Sequence, residues 1–231
     1  LALPYEASMV ALGGDIYVKK ATLEYHASAQ LEDLLDIGLR CARVGNSSLL
    51  LQAGIFRGEQ LLVSGELVYV FADPATQTSR PVPEALRAIF AAYEAGDAMV
   101  HAHCGAWDAL GPDAARVRHA VFIQEQGIPA DIEVDELYAT AVHVVLRNRL
   151  GLPVATGRLL QHAPGEGRIG RMAVERALRG GGWGRQVLRA LEDAARARGD
   201  QRVLLHAQVQ ARAFYERAGY HIHGEPWMEA G

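Results

Sequence analysis

The stretch RGGGWGRQVLRALEDAARARG, from Arg179 to Gly199, decides how the second half of the chain folds. Its first six residues hold four glycines, and the apolar residues Val187, Leu188 and Leu191 then recur at the spacing of a helix. Gly199 is suited to end that helix. Backbone N–H groups at a helix N-terminus have no partner within the helix and carry partial positive charge. Because glycine leaves these groups uncovered, the stretch predicts an anion site, most naturally for a phosphate.

Two common nucleotide-binding loops do not fit these residues. A P-loop needs Gly-Lys-Ser/Thr, whereas Gly184 is followed by Arg185 and Gln186. A dinucleotide-binding loop needs a glycine where Arg185 stands and an acidic residue about 20 positions further on, at the end of the next strand. That strand is predicted to end at His206–Gln208 instead. A glycine-rich turn that only allows close packing stays open as the alternative to a phosphate site.

The composition narrows the classes of protein that are possible. The chain has 231 residues and a formal net charge of −4, which suits one large domain or two small ones and argues against nucleic acid as a partner. No run approaches the roughly 18 apolar residues of a membrane span, and the first residues lack the basic segment of a signal peptide. Cys41 and Cys104 are the two cysteines, and their wide separation predicts reduced thiols and a cytoplasmic protein.

The pattern of the first part predicts strands joined by short turns. We expect strands throughout the region before residue 73, in four runs at 15–26, 34–44, 47–56 and 60–72. Pro83 and Gly96 are suited to begin and end a helix over 83–96. We place the domain boundary here, giving domains at 1–96 and 97–231.

The second part has a different order of elements. A helix is predicted at 113–126, and the glycine-rich loop precedes its own helix. The predicted strands, of which the first three form an antiparallel meander, are 141–148, 154–161, 168–174 and 202–208. A last helix is predicted at 210–219. His101 and His103 fall on one face of a short strand and Cys104 on the other, an awkward geometry for one ion, so no metal site is predicted.

Four motifs in the second part resemble those of the GNAT superfamily of acetyl-CoA-dependent N-acetyltransferases. Arg179-x-x-Gly182-x-Gly184 resembles the (Arg/Gln)-x-x-Gly-x-(Gly/Ala) pyrophosphate loop of that family. RIGRMAV at 168–174 resembles the strand that pairs with pantetheine, and AFYERAGY at 213–220 resembles the Phe-Tyr-x-x-x-Gly-Phe/Tyr ending. RHAVFIQEQGIP at 118–129, together with HAQ, is similar to one subfamily of small GNAT enzymes.

The resemblance implies acetyl-CoA as co-substrate, an amine as acceptor and no metal. The residues it implies at the cofactor are Met172, Ala173, Val174, Arg179, Gly180, Gly181, Gly182, Trp183, Gly184 and Arg185. Tyr215 stands where the family commonly supplies a proton to the departing CoA thiolate, and its alternative role is that of a core aromatic residue. Glu125 is the candidate base, with a solvated carboxylate as the alternative.

Four further residues are candidate contacts for the acceptor: Asp135, His143, His206 and Gln208. His206 could equally be a histidine of the core. Tyr138 stands where the resemblance implies an acidic residue, so the acceptor itself is not predicted.

The first part resembles a hotdog-fold acyl-CoA thioesterase of the 4-hydroxybenzoyl-CoA type. The resemblance rests on the strand-rich segment 23–73, with its Gly-Asn-Ser-Ser turn and its long last strand ending in Asp73. The Asp-x-Asp-x-x-Gly-His segment and the central helix of that family are not present, so no catalytic residue is assigned. We expect the beginning of this domain to be missing, and the resemblance implies a homo-oligomer formed through it.

The predicted fold is therefore a mixture of α+β and α/β. A partial hotdog, an antiparallel sheet plus a helix, precedes a GNAT fold with a mixed, mostly antiparallel sheet flanked by helices. The predicted function is acetyl-CoA-dependent N-acetylation by direct attack of an amine, in a chain that also carries a thioesterase-like domain. Two alternatives stay open: thioester hydrolysis with the GNAT part as a CoA-binding regulatory or assembly module, and a non-enzymatic CoA-sensing module.

Overall fold

The computed structural model describes residues 1–130 and 135–224, and these form two compact units. The first unit contains residue 1 and residues 3–99. The second contains residue 2 and the residues from 100 onward. A mixed α/β fold with one antiparallel sheet and one mixed sheet is confirmed.

The first unit is built on a four-stranded antiparallel sheet. Its strands are β1 (Asp15–Tyr25), β2 (Asp36–Val44), β3 (Ser48–Arg57) and β4 (Gln60–Ala72), in the order β1-β4-β3-β2. Helix α1 (Tyr5–Leu12) precedes β1, and helix α2 (Glu84–Glu94) follows β4. Helix α2 buries Leu86, Ile89 and Phe90 on one of its faces.

The expectation of strands alone before residue 73 is wrong at helix α1. Pro4 precedes this helix and Gly13 ends it in the left-handed conformation, at φ 69°. Both are ordinary signals of a helix start and end. The apolar residues of YEASMVAL are spread around the helix instead of forming one stripe, so the periodicity of the sequence does not reveal it.

One face of this sheet is apolar and largely exposed. Leu23 of β1 and Leu39 of β2 lie at the two ends of one row across the four strands, and Tyr25 and Ile37 at the ends of the next. Each of these four side chains is more than half exposed, up to 78 % for Tyr25. An apolar sheet face of this kind is usually covered by another layer of structure.

The second unit is built on a five-stranded sheet whose strands follow chain order. They are β5 (Val100–Gly105), β6 (Val142–Asn148), β7 (Pro153–Ala163), β8 (Glu166–Val174) and β9 (Arg202–Leu205). Neighbours are antiparallel except β8 and β9, which are parallel. The helices are α3 (Trp107–Arg118), continued by a π-helical segment His119–Glu125, then α4 (Trp183–Arg198) and α5 (Arg212–Arg217).

Helix α3 begins earlier than the sequence predicts. It runs from Trp107, not from the predicted residue 113, and carries Pro112 inside, although Gly-Pro is a usual stop signal for a helix. Leu110 and Ala114, one on each side of the proline, pack in one core cluster with Val145 of β6. This burial holds the helix together through the proline, a case of tertiary packing overriding local preference.

Strands β8 and β9 diverge after a short paired segment, and this leaves part of β8 without a neighbouring strand. They pair only from Glu166–Ile169 to Arg202–Leu205, and β9 ends before the predicted position 208. On the other side of β8, the register with β7 shifts between Thr156 and Arg158, close to Arg171, which has φ 50°. Within the described ranges no strand pairs with residues 170–174 on the β9 side, so that main-chain edge is open.

Candidate active site

The N-terminus of α4 carries uncovered N–H groups. Gly182 is the N-cap residue and has φ 82°, a conformation that favours glycine. Among the described residues no backbone carbonyl and no capping side chain accepts a hydrogen bond from the N–H groups of Gly182, Trp183 or Gly184. A Cβ built on Gly182 would meet no atom of the described residues within 4 Å, so there is open space beside this helix start. The residues therefore fit a pyrophosphate, the group that the sequence motif implies.

At Gly184 the first turn of α4 packs closely against two neighbouring elements. A Cβ at this position would lie 3.4 Å from the ring of Phe214 on α5 and 3.6 Å from the side chain of Val174 at the end of β8. These are ordinary contact distances, so alanine would fit as well, in keeping with the Gly/Ala choice of the motif. The loop, the end of β8 and helix α5 therefore meet at one place.

Tyr215 lies beside the open part of β8. Its hydroxyl donates to the sulfur of Met172 at 3.6 Å, so the structure brings together two residues that the sequence singled out separately. Burial raises the pKa of the Tyr215 hydroxyl, which keeps the group protonated at neutral pH. The ring also makes edge contacts with Phe214 and Tyr220 at centroid distances of 4.9 and 5.9 Å. A protonated, half-buried hydroxyl is suited to donate a proton; this role stays a prediction.

Glu125 and Arg179 form a two-pronged ion pair that the sequence does not reveal. The two Nη atoms of Arg179 donate to the two carboxylate oxygens at 2.6 and 2.7 Å. The hydrogen bonds from Arg179, assisted by the charges of Arg179 and Arg176, lower the pKa of Glu125. Glu125 is therefore ionised but only weakly basic in this state, which bears directly on its predicted role as the base.

The residues after β9 border the same place. His206 and Gln208 are exposed, and the Gln208 side-chain amide donates to the side-chain oxygen of Gln126 at 3.2 Å. Gln126 directly follows Glu125. The alternative that His206 is a buried core histidine is wrong, because its side chain is exposed. Contact of either residue with the acceptor stays a prediction.

His143 is fully buried, away from solvent. Its Nε2–H donates to the carbonyl of Tyr138 at 2.9 Å, and its Nδ1 accepts from the Arg118 guanidinium at 3.2 Å. Burial lowers the pKa of His143, and the charges of Arg118 and Arg158 act in the same direction. The ring is therefore neutral, and its hydrogen bond helps to hold Tyr138 in place. In this arrangement an acceptor does not reach His143 directly.

Asp135 is held by two arginines. Arg158 donates to both carboxylate oxygens at 2.6 and 2.7 Å, and Arg171 lies 3.6 Å away. Burial alone would raise the pKa of Asp135, but the hydrogen bonds and charges of Arg158 and Arg171 outweigh it and lower the pKa. Asp135 is therefore ionised, and its side chain is 30 % exposed.

Sequence reasoning missed the buried arginines around Tyr138. The guanidinium of Arg118 lies 4.9 Å from the Tyr138 ring centre and that of Arg158 lies 5.1 Å from it, which are cation–π distances. Tyr138, which stands where an acid was expected, thus packs against two cations. One signal was available, since Arg118 falls on the same face of α3 as the buried Ala114.

The Asp135–Arg158 pair is expected to stabilise the second unit. The side chain of Arg158 is only 6 % exposed, so Asp135→Asn leaves a buried guanidinium without a carboxylate and should lower the free energy of unfolding by about 3 kcal/mol. Asp193→Asn is the control, because Asp193 and Arg196 form an exposed pair on α4 that should contribute less than about 1 kcal/mol. Urea unfolding measures both, and equal losses in the two variants would contradict the assignment.

Surface cavities lie in the first unit, and no catalytic group is assigned to them. A cavity of about 740 Å³ is lined in part by Arg40, Gln52 and Glu66, whose side chains are linked by hydrogen bonds. A second, of about 530 Å³, is lined in part by Tyr25 and His26. Within residues 1–130 and 135–224 no group of three or more His, Cys, Asp or Glu side chains is placed to hold a metal ion. No helix in the same ranges is long and apolar enough to cross a membrane.

The second unit contains a match to a known family. Residues 120–231 match the family described as the acetyltransferase (GNAT) domain. The chain is 38 % identical, over 120 residues, to YjcF of Bacillus subtilis, an uncharacterised N-acetyltransferase, and the match covers 52 % of this chain and 84 % of the relative. The chain belongs to the GNAT acetyltransferase family and is an acyltransferase.

Solved structures give matches to each part of the chain. A protein of Lactobacillus plantarum, provisionally named an N-acetyltransferase, is 36 % identical with a TM-score of 0.55, covering 58 % of this chain and 92 % of that one. A thioesterase of Thermus thermophilus, solved with coenzyme A and zinc, is 25 % identical with a TM-score of 0.33, covering 35 % of this chain and 60 % of that one. The second likeness does not establish the family of the first unit.

Proposed function

We propose that the second unit transfers an acetyl group from acetyl-CoA to an amine that attacks the thioester carbonyl directly. The observation that carries the proposal is the set of uncovered N–H groups at Gly182, Trp183 and Gly184, which lies at the end of β8 near the open edge of that strand. An anion-binding helix start next to an open strand edge suits a ligand with a pyrophosphate and an amide-containing arm.

The residues proposed to hold CoA fall into two groups. The N–H groups of Gly182, Trp183 and Gly184 would bind the pyrophosphate. Gly180 and Gly181 would lie beside it, and Arg179 and Arg185 would add positive charge. The main chain of Met172, Ala173 and Val174 would pair with the pantetheine arm along the open edge of β8. Bound acetyl-CoA supplies the thioester carbonyl and a thiol as leaving group.

Residues of this chain would carry out the two proton transfers of the reaction. As the C–N bond forms and the C–S bond breaks, the amine loses a proton and the CoA sulfur gains one. Tyr215 would donate its proton to the CoA sulfur, since the Tyr215 hydroxyl is protonated and lies beside Met172. Glu125 would accept the amine proton. Asp135, His206 and Gln208 would contact the acceptor, and His143 would act through the carbonyl of Tyr138.

For the first unit we propose a hotdog, thioesterase-like domain that makes the protein a homo-oligomer and binds acyl-CoA. Its antiparallel sheet with a long last strand and the helix α2 support this assignment, as does the exposed apolar face of the sheet. We further propose a cytoplasmic location, without a nucleic-acid or membrane partner, on the near-neutral charge and the two distant cysteines.

An assay of CoA thiol release with and without amines tests the proposal. With acetyl-CoA and a panel of amino acids, polyamines, amino sugars and peptides, we expect release only when an acceptor is present, with one acetyl group added to that acceptor by mass spectrometry. Release from longer acyl-CoAs without any amine would instead assign the main activity to the first unit. Tight CoA binding with no turnover across the panel would support the sensing role.

A further inference from the structure

The ion pair of Glu125 and Arg179 connects the π-helical segment with the glycine-rich loop. Besides its two bonds to Glu125, Arg179 donates from Nε to the carbonyl of Val174 at 3.2 Å, so all three guanidinium nitrogens are engaged. The side chain of Arg179 is nevertheless 42 % exposed, and that of Glu125 is 25 % exposed. A ligand arriving from solvent can therefore reach the pair.

The pair lies at the same end of β8 as the uncovered N–H groups. Val174, which accepts from Arg179, is also the residue whose side chain would lie 3.6 Å from a Cβ on Gly184, in the first turn of α4. An anion held by the N–H groups therefore brings negative charge close to Arg179 and to Glu125. Carboxylate and phosphate are both two-pronged partners of arginine, so the two anions compete for one guanidinium.

We propose that this ion pair is a latch, the Glu125–Arg179 latch, which the pyrophosphate of an arriving CoA opens. The proposal rests on the proposed function, because it requires CoA at the N-terminus of α4. The pyrophosphate takes over the Arg179 guanidinium and repels the Glu125 carboxylate. Glu125 then gains proton affinity and accepts the amine proton only when CoA is bound. Arg179 is in this sense a positioning residue, which acts on the reaction through Glu125.

The latch predicts effects of opposite sign on binding and turnover. In the free protein Glu125 competes with CoA, so removing its charge should strengthen CoA binding; the same change removes the base and should slow turnover. A residue that only supports the loop would, when replaced, weaken binding and turnover together. The salt dependence is a second signature, because the competition between charges is screened as ionic strength rises.

Calorimetric titration of the full chain with CoA, combined with kinetics, tests this. In Glu125→Gln we expect CoA to bind about three- to fivefold more tightly at low salt, a gain of the size of a partly exposed ion pair, and the gain should shrink at high salt. We expect kcat to fall at least about tenfold. The matched control is Glu166→Gln, because Glu166 pairs with Arg202 at the other end of β8 and should leave both quantities unchanged.

The outcomes separate a failure of the latch from a failure of the proposed function. If wild type binds CoA and Glu125→Gln binds it no more tightly, the latch is wrong while the proposed function stands. If wild type does not bind CoA, the proposed function fails as well.

Two further variants keep the test available. Should Glu125→Gln not fold, Glu125→Ala replaces it with the same expected signs. Arg179→Gln provides an independent test. In that variant the salt dependence of CoA binding should be weaker than in wild type, and an unchanged dependence would overturn the proposal.

Discussion

Replacing Gly182 with valine is expected to abolish measurable CoA binding. Among the described residues, a Cβ at Gly182 would meet no atom within 4 Å. We expect the valine side chain to cover the neighbouring N–H groups of Trp183 and Gly184. Losing two charge-assisted hydrogen bonds at about 1.5–3 kcal/mol each corresponds to a loss of affinity of about 100-fold or more. Calorimetry with CoA measures this loss.

The control for this variant is Gly199→Val, at the other end of the same helix. Gly199 has φ 91° and Gly182 has φ 82°, so both variants force valine into the left-handed region and should lose about 1–3 kcal/mol of stability. Only Gly182→Val covers the anion site. If both variants bind CoA like wild type, the N-terminus of α4 is not where the pyrophosphate binds.

Replacing Tyr215 with phenylalanine is expected to slow turnover far more than it weakens binding. The ring contacts with Phe214 and Tyr220 are kept, while the hydroxyl next to Met172 is lost. Removing a general acid lowers kcat by about 100-fold or more, and the affinity for CoA should change by less than about threefold. Steady-state kinetics and a separate CoA titration distinguish the two quantities.

Tyr220→Phe is the matched control for Tyr215. Tyr220 donates to Glu192 at 3.0 Å and packs against Tyr215, so its hydroxyl contributes to stability by about 1 kcal/mol. We expect its kcat to stay within about threefold of wild type, since the hydroxyl bonds to α4 and not to β8. A Tyr215→Phe enzyme with normal kcat would show that Tyr215 is not the proton donor.

The features that could be predicted are those that short segments of sequence encode. The loop from Arg179 to Gly184 and the stripe on α4 need only neighbouring residues, so both the helix start and its uncovered N–H groups follow from the local pattern. Met172 and Tyr215 were both singled out, because each lies in a recognisable motif, although their contact at 3.6 Å could not be predicted.

The features that were missed depend on pairs far apart in the chain. Glu125 and Arg179 are 54 residues apart, and no periodicity connects them. Helix α3 was placed too late because burial of Leu110 and Ala114 outweighs the local effect of Pro112. The arginines around Tyr138 are buried charges, which a hydrophobic pattern does not anticipate.

The most direct test of the account is a titration of the full chain with CoA followed by amide NMR. The account predicts that the largest shifts fall on the N–H groups of Gly182, Trp183 and Gly184 and on Met172 to Val174 of β8. Shifts confined to the first unit, with the amides of the glycine-rich loop unmoved at saturation, would contradict it.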